Sequence, residues 1–203
     1  MNNNSICPEY RLRLFQSVDL VGSTAFKARH SSAEAGEISP LWVTQIKHFY
    51  REFPRILASN FAKLKHAEDC CKYDKAPNVW KTIGDEIIFC VRLTSLEHLS
   101  VCTSAFIKSL EEYGRILERE GRALDVKGIS WVAAFPSPNI TVDLKLALEG
   151  NDKPSSYGEQ IDEIDEKGAD KDPHLYDFLG PQIDAGFRSG KLSSADTLSA
   201  RRI

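Results

Sequence analysis

Val79-Trp80-Lys81-Thr82-Ile83-Gly84-Asp85-Glu86-Ile87-Ile88-Phe89-Cys90-Val91 sets two runs rich in β-branched and aromatic residues on either side of Gly84-Asp85-Glu86. Such runs extend as strands, and glycine accepts the dihedrals of a tight reversal, so the stretch predicts a β-hairpin with Asp85 at its tip. A carboxylate is thereby held on a rigid element, although a polar residue at such a tip is also an ordinary turn former.

A second stretch lies upstream. Arg11-Leu12-Arg13-Leu14-Phe15-Gln16-Ser17-Val18-Asp19-Leu20-Val21-Gly22-Ser23-Thr24 alternates polar and apolar residues, then becomes apolar, and ends on an acid, a glycine and a Ser/Thr pair suited to begin a helix. Asp19 therefore also stands where a strand stops. Two carboxylates at strand ends, backed by a glycine-containing loop that leads into a helix, can hold divalent metal against a phosphate chain.

The rest of the chain supplies the frame for this pair. Residues 1–10 read as a loose arm before the first strand. From Ser23 to about Lys65, Trp42, Ile46, Phe49, Phe53, Ile56, Leu57 and Phe61 recur at three- and four-residue steps, an amphipathic helical stripe. Pro40 suits the first turn of its second helix, and Pro54 is expected to kink or split it. Leu96, Leu99, Cys102, Phe106, Leu110, Tyr113 and Leu117 space a long helix from about Ser95 to Glu120, which Gly121 can end. Leu124 to Ala134 reads as a further strand closed by Pro136, and His174 to Phe178 as a short one before a helix starting at Gly180-Pro181. Strand, helices, hairpin, helix, strand is the ferredoxin-like order of an α+β domain. Residues 138–173, with Glu159, Asp162, Glu163, Asp165, Glu166, Asp170 and Asp172, read as an acidic insertion, a solvated loop with a short helix in preference to a lid or partner-binding arm.

Composition bounds the function classes. With 203 residues, 42% hydrophobic and 27% charged, the chain suits one globular domain with a substantial core. A formal net charge of -3 leaves no overall basic face, so a nucleic-acid polymer is not an expected partner. No apolar run approaches the roughly 20 residues that cross a bilayer, and the Asn-rich start lacks the apolar core of a signal peptide; the expected location is the cytoplasm, without membrane contact. Cys7, Cys70, Cys71, Cys90 and Cys102 are odd in number with no C-x-x-C pair, so reduced thiols are expected, Cys90 and Cys102 in the core.

At Asp19 and Asp85 a resemblance enters. Val18-Asp19-Leu20-Val21-Gly22-Ser23-Thr24 resembles the first metal motif of the class III nucleotidyl cyclase catalytic domain, and Lys81-Thr82-Ile83-Gly84-Asp85 resembles the hairpin with its second metal aspartate. Tyr176-Asp177-Phe178-Leu179-Gly180-Pro181-Gln182-Ile183-Asp184-Ala185-Gly186-Phe187-Arg188 resembles the strand-to-helix segment with a base contact, a transition-state amide and a transition-state arginine. Each motif is short; their order and separation span nearly the whole chain. The polar tail from Ser189 to Ile203 stops where the family adds strands with a triphosphate-binding lysine; either the sequence is truncated there or the lysine is replaced, by Lys191, Arg201 or Arg202.

The resemblance implies a cyclase that brings a ribose 3′-hydroxyl onto the α-phosphate of a nucleoside triphosphate and expels pyrophosphate, assisted by two divalent cations, Mn²⁺ or Mg²⁺. By the same resemblance Asp19, Asp85 and the backbone carbonyl of Leu20 hold the metals. Phe15, Val21, Gly22, Ser23 and Thr24 line the nucleotide. Lys81 and Asp177 read the base, Arg188 meets the transition state, and Asp184 replaces the family's ribose-orienting asparagine. A lysine donor opposite an acidic acceptor suits adenine by the same resemblance; physically it also suits uracil or cytosine, since lysine donates to a ring-edge carbonyl and aspartate accepts from a ring N–H or an exocyclic amine. The family's active sites are shared between two chains, which implies a head-to-tail homodimer.

Among subfamilies the chain looks most like the small bacterial pyrimidine cyclases of anti-phage signalling, through its Asp-x-x-x-Ser-Thr motif, Gly84-Asp85-Glu86 and the departure at Asp184. That leans toward UTP and cyclic UMP, with an adenylyl cyclase as the alternative. Two other readings stay open: a non-catalytic cyclase-fold module that binds nucleotide or dimerises, and another two-metal phosphoryl-transfer enzyme on a related fold.

Overall fold

The computed structural model of the chain describes residues 9–32, 38–68, 74–148 and 163–192. The N-terminal arm as far as residue 8, the Cys70-Cys71 pair, the middle of the insertion, the side chain of Lys191 and the tail with Arg201 and Arg202 lie outside the described residues.

A four-stranded antiparallel sheet forms the centre: β1 (Arg11–Val21), β2 (Asn78–Ile83), β3 (Glu86–Arg92) and β4 (Asp125–Phe135), in the spatial order β2-β3-β1-β4. Sequence neighbours β2 and β3 are the hairpin predicted around Gly84, whose φ of 64° is a left-handed value that favours glycine. β1 lies in the middle and is buried along almost its whole length. Its alternate residues serve two cores. Leu14, Val18 and Leu20 join Ile87, Phe89, Val91 and Val126 under the helices α2 (Leu41–Glu68) and α3 (Leu96–Arg119). Phe15 joins Trp80, Ile88, Cys90, Ala133, Phe135 and Phe178 on the other face. Because both faces are covered, β3 reads as a near-continuous apolar run from Ile87 to Val91, and β1 carries apolar residues on both of its faces.

The helical expectations hold with shifted detail. The first helical stretch is two helices, α1 (Ser23–Arg29) and α2, and α2 runs on through Pro54 without splitting. Phe49, Phe53, Leu57 and Phe61, at four-residue steps, are its buried stripe, with Phe53 edge-on to Phe106 and Tyr113 of α3. Ser95 caps α3 by accepting the His98 amide at 3.1 Å. Cys90 and Cys102 are buried and free, and burial pushes the Cys90 thiol up to about 12.

The acidic segment departs from the solvated loop expected of it. It contributes β5 (Ile140–Asp143), α4 (Leu144–Leu148) and α5 (Glu163–Lys171), which leads through a 3₁₀ turn (Pro173–Leu175) into β6 (Tyr176–Leu179) and α6 (Pro181–Leu192). β5 and β6 pair as a two-stranded ribbon. Glu163, Glu166 and Asp170 fall on one face of α5, three and four residues apart, and meet the arginines of β1; Glu166 and Ala169 are buried. A carboxylate removed from water must be paired, and Arg11 and Arg13 project from β1 to do so. The second half of the insertion is therefore part of the core on the Phe15 face.

Candidate active site

Asp19 is the last β1 residue in register with β3, opposite Glu86, and it faces Lys127 of β4 on its other side. One residue before Glu86, Asp85 occupies the hairpin turn, where its carbonyl accepts the Leu20 amide at 3.3 Å. Strand register thus brings the two aspartates to the same end of neighbouring strands, although 66 positions of sequence separate them. The Tyr50 hydroxyl of α2 donates to the Gly84 carbonyl and steadies the tip.

Each carboxylate is matched to a cation of the chain. Lys127 Nζ stands 3.3 Å from Asp19 Oδ2, and Lys27 Nζ of α1 stands 3.4 Å from Asp85 Oδ1. The Ser23 hydroxyl donates to Asp85 Oδ2. Side-chain exposures of 30% and 25% leave both aspartates open to solvent. Lys27 and Lys127 were absent from the sequence reading: nothing in local spacing marks them, since they meet the aspartates only through α1 and strand pairing. Ser23 gains a definite task as the partner of Asp85.

This donor set fits a divalent cation of the hard kind. It offers oxygen only, carries two negative charges and keeps an open side, and magnesium-like ions bind through one or two carboxylates with phosphate oxygens and water completing the shell. Among the described residues no group of three or more His, Cys, Asp or Glu side chains could hold a metal by itself. Asp19 and Asp85 would hold such a cation.

Beside the pair, Gly22 turns the chain from β1 into α1. Its φ of 85° lies in the left-handed region, and a Cβ would come within 2.9 Å of the Ala123 carbonyl, so only glycine fits. Gly22 and Thr24 are exposed and Val21 is half-buried, which leaves this turn free to meet a ligand. A cleft of about 10 Å³ behind α1, lined by Leu20, Ser23, Lys27 and Gln45, is far below the roughly 300 Å³ at which small-molecule sites begin.

Lys81 and Asp177 come together from β2 and β6: Lys81 Nζ donates to Asp177 Oδ1 at 2.6 Å, and the ammonium sits 4.0 Å from the centre of the Trp80 ring. Ninety-six positions apart in sequence, they form a half-exposed donor–acceptor pair. Asp184 and Arg188, one turn apart on α6, are exposed, and among the described residues neither side chain has a hydrogen-bond or ion-pair partner. The opposite side of α6 is anchored, with Gly186 against the Trp131 ring and Gln182 bonded to Asn139 and the Ala134 amide.

Phe15 is the correction among the site residues. It is 0% exposed and enclosed by Trp80, Trp131, Phe135 and Phe178, with the Trp131 ring stacked at 5.4 Å, so it supports the sheet and cannot line a nucleotide. An aromatic residue in a strand that ends on a site residue reads equally as core or as lining, and burial decides.

No model of a known protein family matches the chain, and no curated protein matches it in sequence. Solved structures do. The adenylyl cyclase CyaB from P. aeruginosa superposes with a TM-score of 0.53 at 11% identity, over 92% of this chain and 74% of that one. The guanylyl cyclase Cya2 matches with a TM-score of 0.46 at 10% identity, over 93% of this chain and 74% of that one. The guanylyl cyclase domain of the RhoGC fusion protein from the aquatic fungus Blastocladiella emersonii matches with a TM-score of 0.45 at 12% identity, over 91% and 76%. The α+β architecture expected from the sequence is thus the fold of a nucleotide cyclase domain. Among the described residues no helix is long and apolar enough to cross a membrane.

Proposed function

We propose that the chain is a nucleotide cyclase that converts a nucleoside triphosphate to a 3′,5′-cyclic monophosphate and pyrophosphate. The observation that carries this reading is the convergence of Asp19 and Asp85 at the ends of paired strands, beside the exposed turn at Gly22 and within a cyclase-domain fold. In the reaction the ribose 3′-hydroxyl gives up its proton to solvent, its oxygen bonds to the α-phosphorus, the bond from that phosphorus to the bridging oxygen breaks, and pyrophosphate leaves. Two divalent cations, Mg²⁺ or Mn²⁺, supply Lewis acidity to the attacking hydroxyl and to the leaving charge when bound.

The chain's own groups do the rest. Asp19 and Asp85 provide the anionic seat, Leu20 adds its carbonyl, and the backbone from Val21 to Thr24 receives phosphate. Lys81 and Asp177 grip the edge of the base. Among the described residues Arg188 has no hydrogen-bond or ion-pair partner, and its guanidinium fork suits the charge that builds on the transferring phosphoryl group. Asp184, one turn earlier, accepts from a ribose hydroxyl. Asp184 and Arg188 make no contact with Asp19 or Asp85 inside one chain, which supports a homodimer in which each copy completes the other's site.

For the base, a lysine donor beside a carboxylate acceptor serves a pyrimidine, whose ring carbonyl accepts and whose ring N–H donates. We favour UTP and a role in bacterial anti-phage signalling, both resting on the resemblance of the Asp19 and Asp85 motifs to pyrimidine cyclases. The test incubates the purified chain with Mn²⁺ and, separately, ATP, GTP, CTP and UTP, and identifies products by chromatography and mass. Cyclic UMP, lost in an Asp19→Ala/Asp85→Ala chain, is the expected result. Cyclic AMP would replace the pyrimidine reading with an adenylyl cyclase, and no cyclic product from a dimer that binds metal and nucleotide would leave a binding module.

A further inference from the structure

The guanidinium of Arg13 is fully buried, and it gathers α5 and the β5–β6 ribbon onto β1. Its Nη1 donates to Glu166 Oε2 at 2.6 Å and to Thr141 Oγ1 of β5 at 3.2 Å. Nη2 donates to the Glu166 carbonyl at 2.9 Å and to Asp170 Oδ1 at 2.6 Å, and Nε to the same Oδ1 at 3.0 Å. The cation also lies 4.7 Å from the Phe135 ring centre and 5.1 Å from that of Phe178. Arg11 adds a second clamp through Glu163 and Asp170.

What this clamp holds is the strand that carries Asp177. Thr141 is in register with Phe178, and Val142 with Asp177. On the residue before Asp177, the Tyr176 ring rests on α5 at Gly168, where a Cβ would overlap its hydroxyl and come within 2.7 Å of Cζ. The Tyr176 carbonyl accepts from Trp80 Nε1 at 3.0 Å, and Trp80 immediately precedes Lys81. Residues on both sides of Asp177 are thus seated on α5 or on β2.

We infer that α5 is a positioning element for base selection: clamped by Arg13 through Glu166 and Asp170 and seated on Tyr176 at Gly168, it sets how Asp177 faces Lys81 and hence which base the pair accepts. This rests on the reading of Lys81 and Asp177 as the base-gripping pair. Gly168 is the sensitive point, because a single methyl there pushes Tyr176, and with it Asp177, away from the register that meets Lys81 at 2.6 Å.

The test compares wild type, Gly168→Ala, Gly168→Ala/Tyr176→Phe and Asp170→Asn, measuring kcat and KM for each of the four triphosphates with Mn²⁺. For Gly168→Ala, KM for the preferred triphosphate rises about tenfold and preference over the others shrinks by a similar factor, the scale of one misaligned charged hydrogen bond, while kcat stays within about twofold. The double variant removes the atom nearest the added methyl but leaves Cζ within 2.7 Å, so it regains only part of the preference relative to Gly168→Ala alone. Asp170→Asn loosens the clamp without adding volume and shifts preference in the same direction, so the inference stays testable even if Gly168→Ala does not fold. Folded Gly168→Ala or Asp170→Asn with wild-type preference, or a loss confined to kcat, overturns the inference and leaves the cyclase reading standing. A wild-type dimer that turns over no triphosphate brings down both.

Discussion

At the scale of single residues, Asp85 shows how a site can be chemically prepared and structurally cheap. Its carboxylate faces Lys27 at 3.4 Å with a quarter of its surface open, so the pair contributes about 0–1 kcal/mol to folding. If the same carboxylate seats divalent metal, its loss removes several kcal/mol of transition-state stabilisation, on the order of 10³-fold in rate. Asp85→Asn, which keeps an acceptor for Ser23, is expected to leave the urea midpoint nearly unchanged while abolishing cyclic product to that extent. A parallel collapse of stability would show Asp85 to be a fold residue first. Phe15 marks the opposite case, a residue adjacent in sequence to the site that serves only the core.

At the scale of elements, the seam between α5 and β1 is where acid should act. Hydrogen bonding from Arg11 holds the Glu163 carboxyl near 2, below its ordinary value of 4.5. A carboxylate with a lowered folded-state value contributes stability above its unfolded value and loses it as pH falls through the folded one. The contribution is therefore complete above about pH 4.5 and declines toward pH 2. Glu163→Gln should cost about 2 kcal/mol at neutral pH, the worth of a hydrogen bond between charged groups. The gap from wild type, read by urea unfolding at a series of pH values, should close as the pH falls toward 2; a gap independent of pH would mean that the loss is one of packing. Glu163, Glu166 and Asp170 are spaced for one helical face and Arg11 and Arg13 for one face of a strand, yet the acidic segment reads from the sequence as a solvated loop. The seam was not legible because it joins elements more than 150 residues apart.

At the scale of the molecule, the two halves of the proposed chemistry stand on different parts of the fold. Asp19 and Asp85 sit at the end of the central sheet, and Arg188 points outward from α6 with no partner among the described residues. If the active unit is a pair of chains, Asp19→Ala and Arg188→Ala chains should each be inactive alone. Mixed, they should regain about a quarter of wild-type activity, since roughly half the dimers are heterodimers and each carries one intact site of two. Activity that stays at zero on mixing, with dimers shown by sedimentation, would place all groups of one site within one chain.

The sequence by itself determined the elements and their order. Runs rich in β-branched and aromatic residues and the Gly84 turn identified β2 and β3, three- and four-residue steps identified α2 and α3, Asp19 was legible as a strand end, and the Lys81 and Asp177 motifs were visible through their resemblance to a known family. Tertiary structure alone decided which charges meet: Lys127 with Asp19 by strand register, Lys27 with Asp85 by the placement of α1, and Arg13 with Glu166 by the docking of α5. It also decided that Phe15 is core, that α2 passes through Pro54, and that the acidic insertion is half buried. The reason is that burial and long-range pairing depend on what covers a face, and no window of local sequence contains the covering element.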